Sequence, residues 1–315
     1  KKADYYVSYI NNNDYVKVND IFVNDDKEVY ICGITQDSSQ NEVGFVAKLS
    51  ATGVKEWEKT LESTTGQNYT EFQKIYVDGS NVWVAGINKP NSNVLTAYNP
   101  DIIIAKYTEA VNGLSATLAF QRAYSGISGS TRSDNITALT KYSDTRMLVG
   151  GYTNTNSSSP YDAFIASVDT SGVFSVKRKL ASTNMSEKIT DIIVDGTDVY
   201  FSMEVASSST SPDIDVAVGK CTIGTNAIVV DWLKQYANAA YSFLNSSICI
   251  DEFKEIYITA GCRLKSDDTT KDSVWVGKID TDGDVIYNKR YVAPGREVTA
   301  VGNCEIDIFG DLNIA

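Results

Sequence analysis

The stretch DSVWVGKIDTDGDVIYNKRY, residues 272–291, sets two apolar-rich segments either side of Asp280-Thr-Asp282-Gly283-Asp284. A calcium loop there marks a metal site; a tight turn marks a hairpin. Calcium loops need about six or more oxygen ligands, with a distal Glu in the EF-hand form. The equivalent places elsewhere read Ser50-Ala-Thr-Gly53 and Asp169-Thr-Ser-Gly172. SATG, DTSG and DTDG share a glycine, not a set of carboxylates, so the position requires a turn. The stretch is a strand, a hairpin turn and a strand.

Its two strands belong to longer columns. VGKI (276–279) matches VAKL (46–49), IAKY (104–107), IASV (165–168) and VGKC (218–221). YNKRY (287–291) matches WEKTL (57–61), FQRAY (120–124), VKRKL (176–180) and WLKQY (232–236). Upstream runs a third column of VYICG, VWVAG, MLVGG, VYFSM, IYITA and LNIA, starting at Val29, Val82, Met147, Val199, Ile256 and Leu312. Before each comes an apolar run that often closes on an acid, as in IFVND, IYVDG, IIVDG, ICIDE and EIDIF. The repeat length of 52 to 65 residues is that of a four-stranded propeller blade with long loops.

Alternating apolar and polar residues rich in Val, Ile, Tyr and Trp make half-buried antiparallel strands. A lone four-stranded sheet leaves a face unburied, so successive sheets stack. The expected fold is therefore all-β: one propeller spanning residues 1–315, with the fourth-strand aromatics filling the outer gap between blades. Five copies are complete. A sixth is split between the C-terminus (about 298–315) and a third-strand signature at Tyr5–Ile10, which predicts a six-bladed ring closed by one composite blade. No initiator Met opens the chain, which predicts a piece of a longer protein.

The columns resemble the SBBP-type β-propeller repeat over nearly the whole chain, with DAFIASVDTSGVF as the nearest segment and Met203 as a departure in blade four. That resemblance implies a bacterial surface protein or a bacteriophage virion or tail protein, without assigned catalysis.

Composition narrows the chemistry. The 315 residues carry a net charge of −12 and no histidine. An acidic chain lacks the basic face that nucleic acid or an anionic membrane needs. Absent histidine removes the commonest general base and metal ligand. No apolar run approaches the roughly 20 residues of a membrane span. The cysteines Cys32, Cys221, Cys249, Cys262 and Cys304 show no metal spacing and fit apolar strand slots.

Two sets of carboxylates recur. Asp25, Asp78, Asp195, Asp251 and Asp307 close first strands and are expected to cap hairpins. Asp4, Asp101, Asp162 and Asp215 open third strands and are expected to satisfy loop amides or, as a ring, to hold a cation. Where two such groups lie close, repulsion raises one pKa. The sequons, Asn68 and Asn135 among them, are accounted for by the abundance of Asn, Ser and Thr. Loops 87–101 and 204–213 are candidate docking loops.

No catalytic, cofactor-binding or metal residue is assigned from sequence, and no cofactor is expected. The leading expectation is a non-enzymatic structural or binding propeller in a virion, such as a tail nozzle or fibre, or at a bacterial surface. Its partners would be other virion or surface proteins or a host-surface glycan. The alternative is a carbohydrate-active propeller using paired carboxylates.

Overall fold

The structure, a computed structural model, describes residues 15–39, 41–61, 69–89, 101–124, 133–154, 160–180, 182, 185–207, 213–265, 271–292, 303–307 and 309–314. Among the described residues it holds 22 strands and no helix. The first four are β1 (Val16–Val23), β2 (Val29–Gln36), β3 (Glu42–Leu49) and β4 (Lys55–Leu61). The second set is β5 (Tyr69–Asp78), β6 (Asn81–Lys89), β7 (Asp101–Glu109) and β8 (Ala116–Tyr124), and the third is β9 (Ser133–Ser143), β10 (Arg146–Asn154), β11 (Tyr161–Asp169) and β12 (Phe174–Leu180). The fourth set is β13 (Ser186–Asp195), β14 (Asp198–Ala206), β15 (Ile214–Ile223) and β16 (Ile228–Tyr236). The fifth is β17 (Tyr241–Ile250), β18 (Ile256–Leu264), β19 (Lys271–Ile279) and β20 (Val285–Val292), followed by β21 (Cys304–Ile306) and β22 (Leu312–Ile314).

Each set pairs in chain order as a four-stranded meander, antiparallel throughout where the register is defined. The first two sets are joined by one parallel pair, Glu42 to Tyr69. The strands fall on the repeat columns read from sequence. The third-strand signature at Tyr5–Ile10, and with it the proposed composite blade, lies outside the described residues.

By compactness the chain divides into residues 1–141 with 168–173, and 142–167 with 174–315. Each unit buries its own apolar faces. In the first, Tyr30, Trp57 and Val46 pack with Phe72, Ile75 and Val84 from the next sheet. In the second, Tyr200 and Val218 pack with Phe243, Ile248 and Ile258.

First strands share a bulge, between Val18 and Asp20, Phe72 and Lys74, Ile189 and Asp191, and Leu244 and Ser247. In β1 and β13 the residue after the bulge is an aspartate that ties one sheet to the next, and in β5 and β17 it is Lys74 and Ser247. Asp20 Oδ2 accepts Ile75 N–H at 3.0 Å, and Asp191 Oδ2 accepts Ile248 N–H at 3.1 Å. Burial raises the Asp20 carboxyl above its usual range despite Lys74 nearby.

The opening turn is a turn. Gly53, Gly172 and Gly283 adopt φ of 81°, 85° and 78°, a left-handed conformation that costs a side-chain residue about 1–2 kcal/mol. Gly283 N–H donates to Asp280 O at 3.0 Å, while Asp280 Oδ1 accepts the amides of Asp282 and Asp284 at 3.0 and 2.8 Å. Fourth-strand aromatics fill the gap between sheets at Trp57, Trp232 and Tyr236, while Tyr287 and Tyr291 of the fifth set stay exposed. Trp232 Nε1 donates to Thr281 O at 3.1 Å and Tyr236 Oη to Gly283 O at 2.9 Å.

Candidate acid–base site

The third-strand aspartates share one place in the repeat and differ in their partners. Asp162 Oδ2 lies 2.5 Å from Lys179 Nζ. Asp215 Oδ2 accepts from Gln235 Nε2 at 2.7 Å. Lys179 and Gln235 occupy the same position of the fourth-strand column, in VKRKL and WLKQY. In FQRAY that position is Ala123, which cannot donate from its side chain. Among the described residues no side chain hydrogen-bonds to Asp101.

Asp101 instead feels a second carboxylate. Asp134, the second residue of β9, is fully buried. Burial, and then the charge of Asp134, pushes the Asp101 carboxyl up to about 6. The floor beside it is polar: Asn88 stands opposite Asp101 in the ladder, and Thr70 Oγ1 lies 3.4 Å from Asn88 Oδ1. Asn88 and Thr70 are both buried. Asp101 itself keeps part of its surface in solvent. It can exchange a proton with solvent, and the charge of the buried Asp134 raises its pKa.

Other carboxylates are consumed structurally. Asp251 Oδ1 accepts the amides of Phe253 and Glu255, each at 2.9 Å, and Asp307 Oδ1 those of Phe309 and Asp311 at 2.9 and 3.0 Å. Asp25 does not cap its turn. The residue that follows the strand, in the place Asp251 and Asp307 hold in turns of the same length, is Asn24, whose Oδ1 accepts Glu28 N–H at 2.9 Å. Asp78 and Asp195 pair with Lys141, at 2.9 Å, and with Lys254. Asp4, Asn68 and the centres of the two candidate docking loops lie outside the described residues.

The third-strand lysines belong to a ladder that column reading did not reveal. Lys48 sits opposite Tyr30 and Trp57, Lys106 opposite Trp83 and Phe120, Lys220 opposite Tyr200 and Trp232, and Lys278 opposite Tyr257 and Tyr287. Their ammonium groups stand 4.8 to 5.5 Å from the second-strand ring centroids, in cation–π range. In the third sheet the three places read Leu148, Ser167 and Val176: cation and rings are lost together.

Lys48 gathers the most charge. Its Nζ lies 2.9 Å from Glu28, 3.2 Å from Glu56 and 3.4 Å from Glu109. Glu109 also accepts from Trp57 Nε1 at 2.8 Å and Tyr30 Oη at 2.9 Å. Burial works against the ammonium, but the carboxylates win and raise its pKa. These glutamates are committed to one buried cation. The cysteines are buried and form no disulfide, and burial raises the thiols of Cys32 and Cys221, the latter to about 12.

No protein-family model and no curated protein matches the chain. Solved structures resemble it in fold. A protein from Lactobacillus plantarum aligns with TM-score 0.56 at 12% identity, over 92% of this chain and 74% of that one. A Synechocystis apocarotenoid oxygenase mutant aligns with TM-score 0.51 at 7% identity, over 92% of this chain and 61% of that one. An exo-1,5-alpha-L-arabinanase from a bovine ruminal metagenomic library gives 0.48 at 11%, over 86% of this chain and 95% of that one.

With the strand order above, the fold is an all-β propeller of four-stranded antiparallel blades. The expectation of a non-enzymatic virion component is corrected. Structures that share the fold at TM-scores of 0.51 and 0.50 include enzymes, the Synechocystis apocarotenoid oxygenases. The repeat reading had equated a regular scaffold with the absence of chemistry, and such scaffolds carry catalysis. At these identities the likeness assigns fold, and the argument for function returns to the residues.

Proposed function

We propose that the chain is a carbohydrate-active enzyme that cleaves a glycosidic bond, with Asp101 as the proton donor and Asp134 as the positioning residue that keeps it protonated. The carrying observation is that Asp101 alone among the described third-strand aspartates loses its partner, to Ala123, and that its carboxyl is pushed up to about 6. With histidine absent and the cysteine thiols buried, carboxyl groups are what the chain offers near neutrality. Glycoside hydrolysis is a reaction class that runs on carboxyl groups. Asp101 gives its proton to the leaving oxygen as the bond to the anomeric carbon breaks; water then supplies hydroxide to that carbon, and its proton returns to Asp101.

The buried Asp134 plays the part that apolar walls play for other glycosidase acids, holding a carboxyl neutral where water would ionise it. Kinship with the SBBP-type repeat and action on polysaccharide outside the cell belong to the same proposal, supported by the repeat columns and the acidic composition. The test is release of reducing ends from arabinan, xylan, galactan and mixed-linkage glucan. We expect turnover on one substrate class, reduced about 10²–10⁴-fold in Asp101→Asn. Full activity in Asp101→Asn, or an Asp101 carboxyl titrating near 4 by NMR, would overturn the reading.

A further inference from the structure

Two phenylalanines break the turn chemistry of the repeat. Turns between first and second strands carry polar or small residues at their tips: Asp26, Gly79, Asp144 and Gly196. In the turns after β17 and β21 the tips are Phe253 and Phe309, 75% and 77% exposed. Turn positions favour Gly, Asn, Asp and Ser for conformational reasons, and a phenylalanine gains nothing there from burial. Both turns are already stabilised by Asp251 and Asp307 through backbone amides, so neither ring is needed to form them.

Beside these turns lies a cavity of about 460 Å³, within the range of small-ligand sites. Phe253, Tyr257, Asp251, Glu255, Lys278 and Asp307 line it, and every one belongs to the second unit. Lys278 Nζ is paired with Glu255, lies 3.8 Å from Asp251 Oδ2, and stands 4.8 Å from the centroid of the Tyr257 ring. Charged donors and acceptors therefore alternate beside two aromatic rings, one of them open to solvent. Carboxylates outnumber the single ammonium, so an anionic ligand meets net repulsion.

We propose that this cavity binds a neutral saccharide, of one or two sugar units, with its C–H face on Phe253 and its hydroxyls on Glu255 and Lys278. A saccharide is the ligand class that presents an apolar face and a rim of paired donors and acceptors together. Aromatic faces supply the area, and carboxylate–hydroxyl bonds fix the orientation. The site is built from residues other than Asp101 and stands independently of the cleavage proposed above.

The test uses the full chain on an array of neutral oligosaccharides, with the best binder then titrated by calorimetry. Phe253→Ala is expected to weaken binding at least tenfold with an unchanged melting temperature, since the ring is exposed. Phe309→Ala reports on the neighbouring tip, and Asp101→Asn is expected to leave this binding unchanged. Loss of binding in Asp101→Asn with retention in Phe253→Ala would overturn this site while sparing the cleavage reading. Binding of spermine in place of every neutral glycan, or no binding of either, would overturn it as well.

Discussion

Asp101 and Asp215 hold the same place in their sheets, one residue type at one repeat position. Diagonally across the β15–β16 ladder from Asp215 is Gln235, which stands opposite Ala217 and donates its side-chain amide to Asp215 at 2.7 Å. At the same diagonal place from Asp101 is Ala123, opposite Ile103, and the nearby charge is Asp134, of the same sign. One aspartate is part of the scaffold and the other is held as an acid. A repeat protein supplies its own control: where a position is filled alike in every sheet it serves the fold, and where its partner is missing it is available for chemistry.

The widest gap between the two should appear in activity. Asp101→Asn is expected to cost about 10²–10⁴ in turnover, whereas Asp215→Asn should leave turnover within error. The same variant should stabilise the protein at neutral pH. A carboxyl whose folded pKa is raised is protonated more readily folded than unfolded, so stability falls as pH rises from about 4, the unfolded value, through about 6. The full shift corresponds to about 3 kcal/mol, and the partial exposure of Asp101 reduces this to about 1 kcal/mol. Thermal unfolding of Asp101→Asn at pH 4 and pH 7 reads it directly: the gain belongs at pH 7 alone. Activity should fall in parallel as pH passes about 6.

Giving Asp101 the partner its counterparts have should erase the difference. Ala123→Lys places an ammonium where Lys179 meets Asp162 at 2.5 Å. An adjacent opposite charge lowers a carboxyl pKa by about 1–3 units. Carboxyl-resonance NMR should then find Asp101 titrating well below 6, with turnover lost although both acids remain. Unchanged titration would show that burial alone sets the acid, and Asp134 with it would lose its role.

The sequence made the fold legible because burial in stacked sheets imposes a period, and four columns in register leave little freedom. It placed Asp101 among the candidates for the same reason. Ala123 was visible in FQRAY, and comparing it with the Lys of VKRKL and the Gln of WLKQY would have singled out Asp101. Asp134 was beyond reach, because its proximity depends on how one sheet's first strand lies against another's third. The lysine ladder was hidden similarly: VAKL and WEKTL each show a column, but only cross-strand register sets Lys48 between Tyr30 and Trp57. Asp25 is the first acid after the strand and so invited the capping role, whereas Asn24, one residue earlier, holds that position and caps with its amide oxygen.

Turn glycines offer a smaller contrast. Gly283, at φ 78°, would meet Trp232 at 2.9 Å if given a Cβ, while Gly79, at φ 57°, would meet nothing within 4 Å. Both alanine variants carry the left-handed penalty of about 1–2 kcal/mol. Only Gly283→Ala must also displace a ring that seals two sheets, so it should be the more destabilising by denaturant titration. Equal losses would mean the Trp232 contact is slack.

The smallest effect expected is that of Gln235→Ala, which strips Asp215 of its donor. The pair reaches solvent, so water replaces the amide and the loss should be about 0.5–1 kcal/mol at most, with turnover untouched. That modest outcome is informative because it separates two ways of lacking a partner. Both carboxylates are half-buried, but only Asp101 lies beside the charge of the buried Asp134 that raises its pKa. If removing Gln235 altered turnover as strongly as changing Asp101, the third-strand carboxylates would be acting as a ring, and the singular role assigned to Asp101 would fail.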